Sequence, residues 1–373
     1  AERLAETTVS SVLVSANAAP MTSETVEYEL SLDGHPVSQD DLERLLSAAA
    51  AEADARTAPT GAGEDEAAGK AGNGRPPLRL LHAFPLFHVL DGVESPRPPV
   101  GLHGQKLGIA LHVVRVADAP LRNLQTAIER AHLEISGFVV APFAAGLSCL
   151  TPDERELGAA IIDIGAGRTA LGIFAAGRFV FGDTLAIGGD HVTRDIAQGL
   201  LTPIEQAERL KTLSGSALVS PSDDRETIEI VQLGGGEREQ MAEVPRSALT
   251  GIIAPRVEEI LELAMMRLTD AGFVGPAARR IVLTGGLVQL PGLRECAERM
   301  FEGRSVRIGM PRGVLGLADA TAGPAFSVAA GLLHYAAEPP GEVIHGMRAS
   351  GRGMTGAGGS GWKKVGRWLK ENF

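Results

Sequence analysis

The stretch LGAAIIDIGAGRTALGIFAAGRFVFGDTLAIGGD, residues 157–190, decides the fold. Its apolar runs are separated by glycine-containing turns, which predicts three successive strands. Asp163 ends the first strand and is followed by Gly165 and Gly167. A glycine turn at a strand end lets backbone N–H groups approach a phosphate, and the carboxylate can orient a metal ion or its water shell. Such turns are also common in plain hairpins, so both interpretations stay open at this point.

Two features further along the chain favour a phosphate site. Glu208 and Lys211 stand three residues apart in AERLK and therefore share one helix face. The run LTGG, Thr284 to Gly286, places a second glycine turn after a buried strand and ahead of the predicted helix PGLRECAERM. Taken singly, the first feature is a surface ion pair and the second is a turn that starts a helix.

The segment before residue 136 predicts a small α+β unit. Ser38 and Asp41 predict a capping box ahead of the helix LERLLSAAAAEA, and Asp118 is expected to cap the helix APLRNLQTAIERAHL. Residues 54–77 consist mostly of Ala, Gly, Pro and charged residues, a low-complexity composition that predicts disorder. The predicted strands of this unit are SSVLVSAN, TVEYEL, LRLLHAFPLFHVL and KLGIALHVVRV.

Composition excludes several classes of function. The formal net charge of −11 argues against binding to nucleic acid. Cys149 and Cys296 lie in apolar or helical patterns without metal-ligand spacing, which favours reduced, buried thiols. No apolar stretch approaches the roughly 18 residues that a membrane span needs.

Five motifs carry a resemblance to a known family. They are LTPDERELGAAIIDIGAG, GGDHVTRDIAQGLLTPIEQAERLKTLSGSAL, IVLTGGLVQLPGL, VRIGMP and SVAAGLLHY, and they resemble FtsA, the actin-like family of bacterial cell division. The resemblance implies an α/β, actin-like (ribonuclease H-like) two-lobe ATPase fold with a small α+β extra subdomain. It also implies ATP and Mg²⁺ as cofactors, with Asp163 reaching the metal through water. The implied nucleotide-site residues are Asp163, Gly165, Gly167, Arg168, Glu208, Lys211, Thr284, Gly285 and Gly286.

The resemblance also implies a division into segments. We expect the extra subdomain at 1–135, with the insert 54–77, the remainder of the first lobe at 136–157, the core of the second lobe at 158–191 and 276–322, its small subdomain at 192–275, a closing helix on the first lobe at 323–338, a flexible linker at 339–360 and an amphipathic membrane-targeting helix at 361–373.

The sequence departs from the family pattern at two places. The phosphate turn of the family usually has Asp-x-Gly-Gly-Gly-Thr, whereas this chain has Ala166 and Arg168 in DIGAGRTA. An arginine in place of the threonine does not obviously position a water, so we expect a scaffold with slow ATP hydrolysis at most. The first phosphate hairpin of the superfamily has no counterpart in this sequence, so we also expect weakened nucleotide binding.

The end of the chain, GWKKVGRWLKENF, predicts an interfacial membrane helix. On a helical wheel its apolar and basic side chains fall on opposite faces, and tryptophan favours the lipid–water interface. A helix that docks on the protein body is the alternative. The residues expected to meet lipid are Trp362, Val365, Trp368, Leu369 and Phe373, flanked by Lys363, Lys364, Arg367 and Lys370.

The resemblance implies a protein that tethers FtsZ filaments to the inner membrane and recruits later division proteins. The implied partners are the FtsZ C-terminal tail, further copies of the chain, anionic inner-membrane lipid and later division proteins, at the cytoplasmic face of the division site. Arg256 in IIAPRVEEILELAMMRL does not fit the apolar stripe of its helix, and we expect it to contact the FtsZ tail without affecting stability. A PilM-like pilus-assembly protein and a sugar or acetate kinase are the alternatives.

Overall fold

The computed structural model describes residues 8–17, 20–55, 77–232, 240–314, 316 and 321–338. Most of the predicted disordered insert, the predicted linker and the predicted membrane helix lie outside these residues. The chain divides into two compact units. Unit 1 comprises the described residues of Ala1–Val140, Arg178–Asp183 and Tyr335–Asn372, and unit 2 comprises those of Ala141–Gly177 and Thr184–His334. The finer subdivision predicted from the sequence stays a prediction.

Unit 1 contains a four-stranded antiparallel sheet with the order β2-β5-β3-β4. Its strands are β2 (Met21–Ser31), β3 (Leu78–Leu90), β4 (Val93–Ser95) and β5 (Lys106–Ala117). The helix α1 (Gln39–Ala55) packs on this sheet, and its buried Leu42 and Leu45 join Leu107 and Ile109 of the central strand in one apolar core. This arrangement confirms the strands and the helix predicted for the segment.

The start of α1 confirms the predicted capping box. The Asp41 carboxylate accepts hydrogen bonds from the backbone and the hydroxyl of Ser38 at 2.9 and 2.6 Å, and the Asp41 N–H donates back to that hydroxyl. The second predicted cap is wrong. The helix α2 (Asp118–Arg130) has Ala117 at its N-cap, and Asp118 is the first helical residue, without a side-chain capping bond. Its carboxylate instead forms ion pairs with Arg79 and Arg122.

Unit 1 also contains a short parallel pair of strands. It joins β1 (Ser11–Ser15) to β6 (Glu134–Val139), and α2 lies between β5 and β6 in the chain. A parallel pair requires such a crossover connection.

Unit 2 is built on the strands predicted from residues 157–190. The central strand β7 (Ala159–Ile164) is antiparallel to β8 (Thr169–Ala175) and parallel to β12 (Arg280–Thr284), which in turn pairs with β13 (Ser305–Ile308). Every residue of β7 and β8 is buried, which explains why both appear in the sequence as continuous apolar runs. β9 (Arg178–Leu185) follows β8 after a two-residue turn, and its residues Arg178–Asp183 are counted with unit 1.

The register of this sheet brings two glycine turns to one edge. Thr284, the last residue of β12, lies opposite Asp163 of β7. Because the two strands are parallel, the chain leaves both at the same end of the sheet, so the turn after Ile164 and the turn at Gly285 are neighbours.

Unit 2 contains the remaining described α-helices. They are α3 (Ala141–Cys149), α4 (Pro152–Leu157), α5 (Gly189–Gly199), α6 (Ile204–Ser214), α7 (Arg246–Asp270), α8 (Leu293–Met300) and α9 (Ser327–Ala337, which extends into unit 1). A hairpin of β10 (Thr227–Gln232) and β11 (Gln240–Pro245) precedes α7. Gly285 and Gly286 lead into a short 3₁₀ turn, Leu287–Gln289, before α8 begins.

Among the described helices, none combines the length and the apolar character that crossing a bilayer requires.

Candidate functional site

A pocket of about 490 Å³ opens at the sheet edge of unit 2 where the two glycine turns meet. Four segments of the chain form its wall: the β7–β8 turn, the start of α5, one face of α6 and the 3₁₀ turn after β12. Its lining residues are Gly165, Ala166, Gly189, Asp190, Glu208, Lys211, Thr212, Gly286, Leu287, Gln289 and Leu290.

The β7–β8 turn is fastened to the start of α5. The N–H groups of Gly189 and Asp190 donate to the carbonyls of Gly165 and Ala166 at 2.9 and 2.8 Å. A β-carbon at Gly188 would lie 2.6 Å from both of those carbonyl oxygens, so only glycine permits this approach. The positive end of the α5 dipole therefore lies at the pocket, which favours an anionic ligand.

The open side of the β7–β8 turn is its tip. The Gly165 N–H donates to the Arg168 carbonyl at 2.9 Å and closes the turn, and the Thr169 hydroxyl donates to the Ile187 carbonyl at 2.8 Å. A β-carbon at Gly167 would meet no atom within 4 Å, so the backbone there is accessible. An accessible glycine backbone at a strand end suits close contact with a phosphate.

Asp163 lies behind the turn rather than in the pocket wall. It is only 6% exposed, and burial raises the pKa of its carboxyl to about 6. Among the described residues, no group donates a hydrogen bond to this carboxylate. A buried carboxylate without a compensating partner is costly, which is typical of a functional position.

Thr284 is a buried structural link under the second glycine turn. Its hydroxyl oxygen lies 2.6 Å from the Ser327 hydroxyl and within hydrogen-bond distance of the carbonyls of Pro324 and Gly309, at 3.1 and 3.2 Å. The Gly285 N–H also donates to the Pro324 carbonyl, at 3.2 Å. These contacts fix the direction in which the chain leaves β12 and thereby place Gly286 at the pocket.

Glu208 and Lys211 form one ion pair on the pocket-facing side of α6, with 2.6 Å between Nζ and Oε2. Thr193 of α5 joins them, since its hydroxyl lies 2.5 Å from the same Glu208 oxygen and 2.8 Å from Lys211 Nζ. Burial acts to raise the pKa of Glu208, but the hydrogen bonds from Lys211 and Thr193 outweigh it and hold the pKa below its ordinary value. Glu208 is therefore a stable carboxylate at neutral pH.

The predicted nucleotide-site residues divide into two groups. Gly165, Glu208, Lys211 and Gly286 line the pocket. The others, which lie beneath or beside the wall rather than in it, are Asp163, Gly167, Arg168, Thr284 and Gly285.

Sequence reasoning missed the α5 start, the apolar wall and Thr193. The run IGGD at 187–190 was a usable signal, because two glycines at the beginning of a helix are typical of a phosphate-binding turn. Leu287 and Leu290 gave no separate signal, since apolar residues at that spacing are equally expected in a core.

Arg256, the predicted partner residue, is engaged within unit 2. Its guanidinium donates to both carboxylate oxygens of Asp195 at 2.5 and 3.1 Å, and it also pairs with Glu259. These bonds join α7 to α5. The predicted membrane residues lie outside the described part of the chain, and their role stays a prediction.

Comparison with known proteins identifies close relatives. The family model for cell division protein FtsA matches residues 160–331. The cell division protein FtsA of Agrobacterium fabrum (strain C58) is 40% identical over 373 residues, which are 100% of this chain and 79% of that protein. The cell division protein FtsA of Escherichia coli (strain K12) is 34% identical over 300 residues, 79% of this chain and 70% of that protein.

A solved structure shows the fold. The PilM–PilN type IV pilus biogenesis complex aligns with a TM-score of 0.53 and 17% identity, covering 85% of this chain and 77% of that chain. The α/β, actin-like two-lobe fold predicted from the sequence is confirmed.

Proposed function

The chain belongs to the FtsA family of cell division proteins, and from that premise we propose that it is an ATP-binding, actin-like scaffold. In this proposal it tethers FtsZ filaments to the cytoplasmic face of the inner membrane at the division site, assembles with further copies of itself and recruits later division proteins.

The pocket of unit 2 is the observation that carries the nucleotide part of the proposal. The start of α5 brings the positive end of a helix dipole to the pocket, beside the glycine turn of Gly165 and Ala166, and this suits phosphates. Glu208, paired with Lys211, supplies a carboxylate for a ribose, and Leu287 and Leu290 supply an apolar wall for a base. A pocket with apolar walls and a few fixed polar groups is the usual form of a small-molecule site.

Asp163 fits a role toward Mg²⁺ through water. Its carboxylate is buried and has no hydrogen-bond donor among the described residues. A divalent cation nearby would offset the penalty of burying its charge. The metal, when bound, would neutralise phosphate charge, while the protein's own contribution is to hold the carboxylate at the end of β7.

The membrane part of the proposal rests on the sequence of the C-terminal segment. Trp362, Trp368 and the neighbouring basic residues suit an anionic lipid surface. One such short helix binds weakly, and several copies on one polymer would bind by avidity. This gives a physical reason for combining a short anchor with self-assembly.

Sedimentation with liposomes tests the proposal. Purified FtsZ filaments should pellet with anionic liposomes only when the chain is present, and removal of residues 361–373 should abolish the effect while the truncated chain still binds FtsZ. ATP binding, measured by calorimetry, should require Glu208 and Lys211. FtsZ that fails to pellet with liposomes and the intact chain, with lipid binding itself intact, would contradict the tethering role.

A further inference from the structure

The hydroxyl of Thr193 is a buried junction between α5 and α6. Thr193 is 4% exposed, and its oxygen lies within hydrogen-bond distance of three groups: the Glu208 carboxylate at 2.5 Å, Lys211 Nζ at 2.8 Å and the Gly189 carbonyl at 3.1 Å. All three of these groups belong to residues that line the pocket, although Thr193 does not line it.

The number of protons that each group can donate determines the direction of the hydrogen bonds at this junction. A threonine hydroxyl has one proton to donate and two lone pairs that accept. The bond to a carboxylate is charge-assisted and is the shorter of the two possible donations, so Thr193 donates to Glu208 rather than to Gly189. Lys211, which has only donors, gives one proton to Thr193, one to Glu208 and one to the Gly189 carbonyl.

Both donors converge on the same carboxylate oxygen. Thr193 and Lys211 each bind Oε2 of Glu208, and within the described part of the chain no group donates to Oε1. The Glu208 side chain is 51% exposed, so without these two bonds it would sample several rotamers in water. The buried hydroxyl therefore restrains a carboxylate that is otherwise mobile at the rim of the pocket.

We propose that Thr193 is a positioning residue that fixes Oε2 of Glu208 so that Oε1 accepts a hydrogen bond from a ribose hydroxyl of the bound nucleotide. The inference rests on the proposed nucleotide site and adds to it a residue that determines ribose recognition. Lys211 has all three of its protons engaged by the protein, so its part is the same: it holds Glu208 and does not bind the nucleotide as a donor.

Calorimetry with three nucleotides and four forms of the full chain tests the proposal. The ligands are ATP, 2′-deoxy-ATP and 3′-deoxy-ATP, and the proteins are the unchanged chain, Thr193→Val, Thr193→Ser and Thr250→Val. Thr250 is the matched control, because it is fully buried in α7 of the same unit and its hydroxyl has no hydrogen-bond partner within the described part of the chain. Thermal unfolding of each protein shows whether the valine substitutions are tolerated.

The expected pattern separates positioning from packing. The unchanged chain should bind at least one of the two deoxy-nucleotides about ten-fold more weakly than ATP, as expected for a lost hydrogen bond to a charged acceptor. Thr193→Val should weaken ATP binding by about ten-fold and reduce this discrimination to about two-fold or less. Thr193→Ser and Thr250→Val should keep both the affinity and the discrimination.

Two results would overturn the inference without touching the nucleotide proposal. One is an unchanged chain that binds ATP and both deoxy-nucleotides equally well, and the other is Thr193→Val with unaltered discrimination. An unchanged chain that binds no nucleotide would instead remove the proposed function itself, and the inference with it. If Thr193→Val does not fold, Thr193→Ala, which removes the same hydroxyl with less bulk beside the helix, provides the same comparison.

Discussion

Asp163 and Gly285 are in such close contact that a β-carbon at Gly285 would lie 2.5 Å from the carboxylate oxygen Oδ1 of Asp163. The same β-carbon would lie 2.5 Å from the carbonyl oxygen of Ile164, and Gly285 has a φ of +94°. The glycine is thus required both by space and by backbone conformation. This contact joins the two glycine turns that bound the pocket, so the pocket depends on it.

Gly285→Ala is expected to destabilise unit 2 by about 2–4 kcal/mol, because the added methyl group must displace either backbone or a buried carboxylate. Gly286→Ala is the matched control, since a β-carbon there meets nothing within 4 Å and the residue has helical φ and ψ. Urea unfolding should show the control within about 1 kcal/mol of the unchanged chain. Similar losses of stability in both variants would show that the contact between Gly285 and Asp163 is not the cause of the destabilisation.

Asp163→Asn should make the protein more stable at neutral pH. The folded-state pKa of Asp163 is raised from 3.8 to about 6 by burial, so between pH 4 and 6 the unfolded chain loses a proton that the folded chain keeps. Stability therefore falls as pH rises through that window, by up to about 3 kcal/mol, and stays lower above it. The amide removes this penalty, and it should also weaken binding of Mg²⁺ with ATP.

Unfolding curves from pH 4 to 8 measure this effect. Asp190→Asn is the comparison, because it removes a carboxylate from the first turn of α5, where negative charge is favourable, and should lower stability slightly. If the free energy of unfolding of Asp163→Asn depends on pH in the same way as that of the unchanged chain, the carboxyl of Asp163 does not titrate in this range.

His112 should cause acid instability of unit 1. Burial, and secondarily the nearby His82, lower the pKa of His112 to about 3. Its ring contacts those of Phe84 and Phe179, and Nε2 has no hydrogen-bond partner among the described residues. Below pH 6.5 the unfolded chain binds a proton at this histidine that the folded chain does not bind. The free energy of unfolding therefore falls by about 1.4 kcal/mol for each unit by which the pH is lowered.

His112→Phe keeps a ring in this position and removes the titration. The free energy of unfolding should then fall less steeply between pH 6.5 and 4.5. The difference should correspond to about one proton fewer taken up on unfolding, whether or not the substitution changes the stability at pH 7. Replacement of the exposed His103 by Asn controls for the loss of a histidine. An unchanged slope in His112→Phe would assign the acid sensitivity to other groups.

The sequence predicted the strands and helices well, because most of them bury one continuous apolar surface. β7 and β8 are buried throughout, are largely apolar and are bounded by glycine turns, so their number and order followed directly from local pattern. The cap at Asp118 was mispredicted because its carboxylate forms ion pairs instead, one with Arg122 of the same helix and one with Arg79, a residue far away in the chain that local pattern does not indicate.

The candidate site was predicted only in part, since its wall depends on contacts between distant segments. The sequence identified the strand ends at Asp163 and Thr284 correctly, but it could not indicate which side of each turn faces a cavity. The approach of Gly188 to Ala166 is a steric fit between backbones, and no residue pattern of either segment specifies it.

Two variants test whether Arg256 contributes to the stability of unit 2, to binding of the FtsZ tail, or to both. Because Arg256 joins α7 to α5 through Asp195, Arg256→Glu should lower stability by about 1–2 kcal/mol, contrary to the expectation from the sequence. Asp195→Asn should cause a similar loss while leaving the positive charge of Arg256 in place.

Binding of an FtsZ C-terminal tail peptide distinguishes the two roles. If Arg256 contacts an acidic group of the peptide, Arg256→Glu weakens binding several-fold and Asp195→Asn does not. Equal weakening in both variants would mean that Arg256 acts through the packing of the two helices, and equal binding in both would remove it from the interface.

The C-terminal segment is expected to bind anionic membranes and to fold as it binds. Trp362 and Trp368 are the only tryptophans in the chain, so intrinsic fluorescence reports on this segment alone. Each basic residue contributes about 1 kcal/mol at an anionic surface. Burial of the apolar face adds several kcal/mol at about 25 cal/mol per Å². A segment this short is not a stable helix in water, so part of that free energy is offset by the cost of ordering it.

Anionic vesicles should therefore shift the emission to the blue, and neutral vesicles should shift it less. Trp368→Glu should abolish sedimentation with vesicles, whereas Trp368→Phe, which keeps an apolar ring, should retain most of it. Emission that is already blue-shifted without lipid, and unaltered when vesicles are added, would show instead that the segment docks on the protein.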